Sequence, residues 1–461
     1  MTQPPCAGQP SLDTAIVPPS DLPLFEEVLD WVTVRLRPAG LPRPLCKRLA
    51  VIICGLVASE KATMGEVTTA IEALTISRAK GESIARRLQR SLQDPRLDPS
   101  LLPLIFRPLL PQLLRHHILA HAANCGAPAS HHQRFVGVVI VVDESSQEDK
   151  VHLLAAGVPV GGVVLPLAVR TWAQNVAMPQ GEYWTIVMGL LQEIQDMVPS
   201  PLRDHVLLTA DRAYGVPRML DILSAMGWHW LLRVQGQTQV RLPDGACYPL
   251  LKLVPRPGTQ WSSGFHNAQG TEGTESEPVG VFKVAGWRRS QVLAVWAQGQ
   301  AEPWLLVTSL AATLARLAES AQRWAIERLF LSWKSHGWDI EASGIDDARR
   351  LGRLLTGVAL ATLWRLAMAL PRALGHLADL AARTGRNARQ LRLPGTTSAP
   401  PRPWPAKYSL LTWGAKVVRG ASLLTCTPAL CWCLPIWEGR TWADTCRHVH
   451  LAAHGQFSVS P

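Results

Sequence analysis

The spacing of apolar residues changes character several times along the chain. From Cys46 to about Leu114 apolar side chains recur at three and four residues, as in Leu49-Ile52-Ile53-Leu56 and Met64-Val67-Ala70-Ile71-Leu74, which predicts amphipathic helices. A third helix is predicted over 82–92 and is stopped by Asp94-Pro95. At Phe135 the texture changes. Residues 136–143 form a short, continuous, β-branched apolar run, the pattern of a strand buried on both faces. Strand-like runs follow at 151–156 and 163–171, with Gly161-Gly162 as a turn signal between them. Next come a helix over 183–197, a buried strand over 205–211, a helix over 217–226 and a strand over 228–234. Residues 235–310 differ again: Gly, Ser, Thr and Glu crowd 255–278, while short β-type runs occupy 280–282, 291–296 and 304–308. The pattern returns to helix from about Ala311 to Arg389, and from about Leu393 it becomes Pro-rich and then Trp- and Cys-rich.

Three strands, a helix, a strand, a helix and a strand follow one another in the order of the ribonuclease-H-like fold, an α/β architecture built on a mixed sheet. The expected domains are a Pro-rich N-terminal segment over 1–44, holding one amphipathic piece at 24–34, and a helical DNA-binding domain over 45–130. An α/β domain over 131–345 carries a β-rich insertion at about 235–310. A helical C-terminal region over 346–392 and a tail over 393–461 complete the chain. The last helix of the N-terminal module displays Arg86, Arg87 and Arg90. It reads either as the recognition helix of a helix-turn-helix, which lies in a DNA groove, or as a solvated basic face of a helical bundle.

Charge narrows the class of partner. The 461 residues carry a net charge of +11 and a pI near 9.5, so a polyanion is expected, nucleic acid ahead of a membrane surface. Residues 345–461 hold 15 Lys and Arg against 5 Asp and Glu, nearly all of the excess. No membrane association is expected, because the longest apolar stretch, 354–370, is interrupted by Arg365 and is shorter than the roughly 20 residues a span needs. Nine scattered cysteines and an N-terminus without a secretory leader point to a reducing cytoplasm.

Asp143 and Asp211 each close an apolar strand, where backbone leaves the sheet and a ligand can approach. Taken singly each is more often a turn former. The third element is a helix over 321–336 in which Arg323, Glu327 and Lys334, four and seven residues apart, share one face. An ordinary helix supplies such an Arg-Glu pair for a few tenths of a kcal/mol. It does not predict the pair's company of two strand-ending aspartates.

This stretch resembles the signature of the insertion-sequence-four family of DDE transposases: a Tyr, two residues, an Arg, three residues, a Glu, six residues and a Lys. Arg323, Glu327 and Lys334 fall in register. Val142-Asp143-Glu144-Ser145-Ser146, Ala210-Asp211-Arg212-Ala213-Tyr214, Trp230-Leu231-Leu232-Arg233-Val234 and the run from Trp304 to Leu310 resemble the same group. Ser83-Ile84-Ala85-Arg86-Arg87-Leu88-Gln89-Arg90 resembles the last helix of its DNA-binding region. The resemblance runs from about Arg43 to about Leu370. The chain departs from it at Ser320, which stands in the place of the signature Tyr, and at Leu331, where some relatives carry a Lys.

The resemblance implies metal-dependent cleavage of transposon ends and strand transfer, with Asp143, Asp211 and Glu327 as the catalytic metal ligands. Hard Mg²⁺ or Mn²⁺ selects such oxygen ligands, and converging carboxylates without a cation would repel one another. Arg323, Lys334 and Ser320 are then expected to grip end phosphates, joined by Arg212, for which a plain salt bridge is an equal reading. Implied partners are double-stranded DNA, both terminal inverted repeats and target, and a second copy of the chain on that DNA. The implied setting is a bacterial cytoplasm, nucleoid-associated when bound. Trp261, Trp287 and Trp296 lie where relatives hold a flipped base, although no spacing selects one. Cys426, Cys431, Cys433, Cys446, His448 and His450 are zinc-type ligands without paired Cys-x-x-Cys knuckles, so structural zinc there is the weaker expectation. The alternative within the same ancestry is an impaired or domesticated transposase that binds DNA without cutting it.

Overall fold

The computed structural model describes residues 24–77, 79–111, 114, 135–160, 162–263 and 278–366. The zinc-type Cys/His cluster lies outside these residues.

Four helices begin the fold: α1 (Leu24–Leu36), α2 (Arg43–Ser59), α3 (Met64–Ala73) and α4 (Gly81–Gln93). Val28, Val32 and Leu36 of α1 are fully buried with Leu45, Leu49 and Ile53 of α2. The helical bundle therefore includes α1, and a boundary at residue 44 cuts through it. Pro42 and Pro44 explain the difference: they stand at the N-cap and first turn of α2, where the missing N–H costs nothing and the ring's φ suits a helix. Gly55 lets α2 and α3 approach, since a Cβ there would lie 2.8 Å from Val67 Cγ1 and 2.9 Å from Ile71 Cγ1. Along α4, Ile84, Leu88 and Leu92 face inward while Arg86, Arg87 and Arg90 are exposed. A short α5 (Leu101–Phe106) follows.

The centre of the molecule is a mixed sheet. β1 (Val138–Gln147), β2 (Val151–Val160) and β3 (Val163–Ala173) form an antiparallel meander. After α6 (Glu182–Gln195), β4 (Val206–Ala210) pairs parallel with β1. After α7 (Pro217–Met226), β5 (His229–Arg233) pairs parallel with β4. The order across the sheet at this end is β3-β2-β1-β4-β5.

Residues after β5 extend the sheet and do not form a separate body. β6 (Gln239–Arg241), β7 (Cys247–Pro249), β8 (Thr259–Ser262), β9 (Val279–Val281), β10 (Arg288–Trp296) and β11 (Trp304–Thr308) continue it, with β11 antiparallel to β5 and the order running on as β11-β10-β9-β6-β7. Among the described residues, the segment expected to be a β-rich insertion forms the second half of one 11-stranded sheet.

Helices cover both faces, and strand alternation identifies which side chains meet which helix. On β3, Arg170 forms an ion pair with Glu193 of α6 and Trp172 meets Tyr183 of α6 edge-on. Thr171, between them, donates from its hydroxyl to the carbonyl of Ala348 on the opposite face, at 2.7 Å. That second face carries α8 (Ala315–Ala321), α9 (Trp324–Leu331) and α10 (residues 348–366). The four-helix bundle packs against α10: Trp31 and Trp364 meet edge-on, and Gly357 lies so close to α2 that a Cβ would sit 2.7 Å from Ile52 Cγ2. Ala62 also donates its backbone N–H to Trp338 O at 2.6 Å, and Lys61 pairs with Asp339 at 2.7 Å. Arg365, buried in α10, stacks its guanidinium 3.7 Å above the Trp338 ring.

Candidate active site

The parallel register of β1 and β4 pairs Val141 with Thr209. Two residues further along each strand stand Asp143 and Asp211, so adjacent strands carry the two carboxylates at one level of the sheet. Asp143 does not end its strand as expected: β1 continues through Glu144, Ser145 and Ser146 to Gln147. These polar residues remain extended because β2 pairs with them, from Asp143↔Ala155 to Gln147↔Val151. The pairing of β1 with β4, by contrast, ends just before Asp143, at Val141↔Thr209. Asp211 does leave its strand, and its side chain accepts the N–H of Ala213 at 2.9 Å, forming a local turn.

The third carboxylate comes from α9. The helix expected over 321–336 is divided: α8 ends at Ala321, Arg323 caps α9, and residues Ser332–His336 form a π-helical turn. Arg323 is nonetheless well placed. Its Nη1 lies 3.4 Å from Asp143 Oδ2 and its Nη2 lies 2.9 Å from Glu327 Oε1, so one guanidinium bridges first and third acids. Arg323 is 11% exposed, Asp143 17% and Glu327 55%, a buried cation with a carboxylate on each side.

The Asp143 carboxyl is sensitive to the charges on Asp211 and Glu327. Burial pushes the Asp143 carboxyl up to about 6, with Asp211 and Glu327 adding to the rise, while the N–H of Glu144 and the charge on Arg323 oppose it. Oxygen donors of this type suit a hard divalent ion. Among the described residues, however, no three His, Cys, Asp or Glu side chains stand close enough together to hold a metal ion, and the Arg323 guanidinium lies between two of the expected ligands.

Lys334, on the π-helical turn, points its Nζ at Ser145 Oγ, 3.5 Å away, and lies 3.9 Å from Glu341. It therefore faces β1 beside Asp143, as Arg323 does. Arg212 is exposed and forms an ion pair with Glu302 at 2.7 Å, shared with Arg233 at 3.5 Å. Ser320 is 4% exposed in the last turn of α8, which packs inward against the body in this structure. Arg86 pairs with Glu82 one turn back along α4, whereas Arg87 and Arg90 project from the same exposed face.

Several polar residues near the acids have mutual contacts that the sequence did not reveal. Glu144, next to Asp143, points to the other face of the sheet and takes a 2.6 Å hydrogen bond with His152 Nδ1. His152 stacks on Trp172 with ring centroids 5.1 Å apart. The Tyr183 hydroxyl of α6 hydrogen-bonds at 3.1 Å to the hydroxyl of Tyr214, three residues past Asp211. Their sequence spacing reflects no single element, so only the fold assembles them. Trp324, 52% exposed beside Arg323, is likewise a surface indole that helix periodicity alone does not single out. In the extension of the sheet, Trp287 lies under Arg241 at 4.9 Å and Trp296 donates to Gln300 O at 2.9 Å, while Trp261 is part-buried.

Comparison with known proteins gives a family match over part of the chain. Residues 184–364 match the family described as "Transposase DDE domain"; the stretch contains Asp211, Arg323, Glu327 and Lys334 and begins after Asp143. No curated protein matches. Among solved structures, one similar chain is that of a piggyBac transposase synaptic complex with hairpin DNA, at 10% identity and a TM-score of 0.33, covering 74% of this chain and 71% of that one. Among the described residues no helix is long and apolar enough to cross a membrane.

Proposed function

We propose, on the premise that residues 184–364 carry a transposase DDE domain, that this chain is a cut-and-paste DNA transposase of the insertion-sequence-four type with a ribonuclease-H-like catalytic domain. The observation that carries the reading is the register of β1 and β4, which sets Asp143 and Asp211 at one level of the sheet, together with Arg323, which ties Glu327 to Asp143. The β3-β2-β1-β4-β5 order, antiparallel and then parallel, supports the fold assignment.

Asp143, Asp211 and Glu327 would hold Mg²⁺, or Mn²⁺ in its place, once Arg323 withdraws from between them. A bound pair of such ions activates an attacking water or 3′-hydroxyl and neutralises the leaving oxygen. The chain's own part is to bind and orient DNA. Arg323 offers a two-pronged contact to a phosphate and Lys334 a point charge beside the same strand, and both favour a polyanion there. Arg87 and Arg90, with Arg86, are proposed to grip the terminal repeat from α4, and Arg212 to reach phosphate by exchanging Glu302 for it. Two copies would act together on paired ends, in a bacterial cytoplasm.

Burial of Ser320 in place of the signature Tyr favours the second reading, a transposase-derived protein that binds DNA without cutting it. One experiment separates the two. With a duplex carrying the element's own end and Mg²⁺ or Mn²⁺, the wild type should cleave, and Asp143→Ala, Asp211→Ala and Glu327→Ala should each abolish cleavage with end binding largely retained. Near wild-type cleavage by any of the three variants would remove that residue from the site. A wild type that binds and never cuts would establish the second reading.

A further inference from the structure

We infer that Lys61 and Ala62, in the turn between α2 and α3, clip residues 338–341 to the helical bundle and thereby set where Lys334 stands against β1. This rests on the proposed phosphate contact of Lys334, but the clip itself is made of contacts in the structure. Trp338 is bonded on both sides of its backbone. Its N–H donates to Ser332 O at 2.7 Å, at the start of the π-helical turn that carries Lys334, and its carbonyl accepts the Ala62 N–H at 2.6 Å. One residue later the Asp339 carboxylate takes the Lys61 ammonium at 2.7 Å. Ile340 then donates its N–H to Trp333 O at 2.8 Å, inside the π-helical turn, and Glu341 lies 3.9 Å from Lys334 Nζ. Residues 338–341 thus meet the bundle with one set of groups and the Lys334 turn with another.

Both ends of this path have uncommon backbone. Single π-helical turns are rare and recur at functional sites. Asp339 stands at φ 56°, in the left-handed region that an L residue occupies only where its surroundings fix it. Ala62 and Trp338 are fully buried, so the bond between them is shielded from water, whereas Lys61 and Asp339 are partly exposed and can be changed without opening the core. On the other side, Gln147 at the end of β1 donates to Ile340 O and to Ile345 O, at 3.3 Å each, and Lys334 Nζ lies 3.5 Å from Ser145 Oγ. The segment is gripped between bundle and sheet, and the lysine with it. Lys61 and Asp339 touch no reacting group and are positioning residues.

Lys61→Ala removes a positive charge and Asp339→Asn a negative one, and Asn keeps the left-handed backbone accessible. Long-range attraction to DNA would therefore shift in opposite directions in the two variants, whereas loss of the clip shifts both the same way. With the full-length protein in EDTA and a duplex carrying the element's own end, each variant should bind about threefold more weakly. Lys61→Arg should bind as the wild type does, and neither loss should persist in a Lys334→Ala background. Without DNA, amide hydrogen exchange should speed up about threefold in peptides spanning 332–341 and stay unchanged in the sheet; a general loss of stability would raise it throughout. Opposite shifts in affinity, losses that add to that of Lys334→Ala, or unchanged exchange over 332–341 would overturn the clip. Lys334→Ala binding the duplex as tightly as the wild type would instead remove the phosphate reading, and the exchange result alone would then decide the clip.

Discussion

At Asp143, folding stability and the proposed metal-binding role oppose each other. Its carboxyl is raised from an ordinary 3.8 to about 6, chiefly by burial and then by its acidic neighbours, so desolvation and repulsion outweigh the attraction of Arg323. The folded protein therefore holds this proton more tightly than the unfolded chain does. The group is neutral in both states below about pH 4, and its charging opposes folding increasingly as pH rises to about 6 and beyond, by up to about 3 kcal/mol. Asp143→Asn removes that penalty. Urea unfolding should show the variant gaining on the wild type between pH 4 and pH 7, in metal-free buffer; a constant difference across that range would contradict the assignment. Ser320 gives the opposite lesson. A phenol there would have to enter a packed interior at a site only 4% exposed, and overpacking of this kind costs about 1–3 kcal/mol. Ser320→Tyr should lower the melting temperature and not raise activity, although the signature motif alone suggests a restored contact.

At the level of elements, α4 is the clearest test of DNA recognition. Its inner face, Ile84, Leu88 and Leu92, holds it to the bundle, while Arg87 and Arg90 are exposed and contribute little to folding. Arg87→Ala with Arg90→Ala should weaken end binding and reduce the salt slope of log K by about 0.9 for each phosphate that is no longer neutralised, with stability within about 0.5 kcal/mol of wild type. An unchanged slope measured across a salt series would place the end elsewhere. The elements legible in the sequence are those whose pattern is local. Val138 to Val142 and Val206 to Ala210 read as strands because unbroken β-branched and apolar runs suit a sheet covered on both faces, and the aspartates after them are visible for that reason. What depends on distant pairing is not. Glu144 to Gln147 are strand only through β2, and β11 joins the main sheet only because β5, some seventy residues earlier, offers it an edge. The interruption at Gln322 and Arg323 and the π-helical turn at Ser332–His336 are likewise not encoded in residue spacing. The same holds for the Arg212–Glu302 pair.

Across the whole molecule, the join between the helical bundle and the sheet is a packed interface. Trp31 on Trp364, Lys61 with Asp339 and the closeness of Gly357 to Ile52 and Leu56 all cross it. Gly357→Leu would place a side chain where even a Cβ lies 2.7 Å from Ile52 Cγ2, and the gain in helix propensity, under about 1 kcal/mol, does not offset that clash. Unfolding free energy should fall by about 1–3 kcal/mol, and a stability equal to wild type would mean that the interface yields freely. That interface has a further consequence if α4 holds the transposon end and the acids cut it. A gripping helix docked against the catalytic body acts as a ruler, and its unit is the base pair. Adding or removing a few base pairs between the recognised repeat and the cleavage point would turn the scissile phosphate away from Asp143 by about a third of a turn for every three or four. Binding would survive such spacers, whereas cutting would disappear and then partly return near a full helical turn of about 10.5 base pairs.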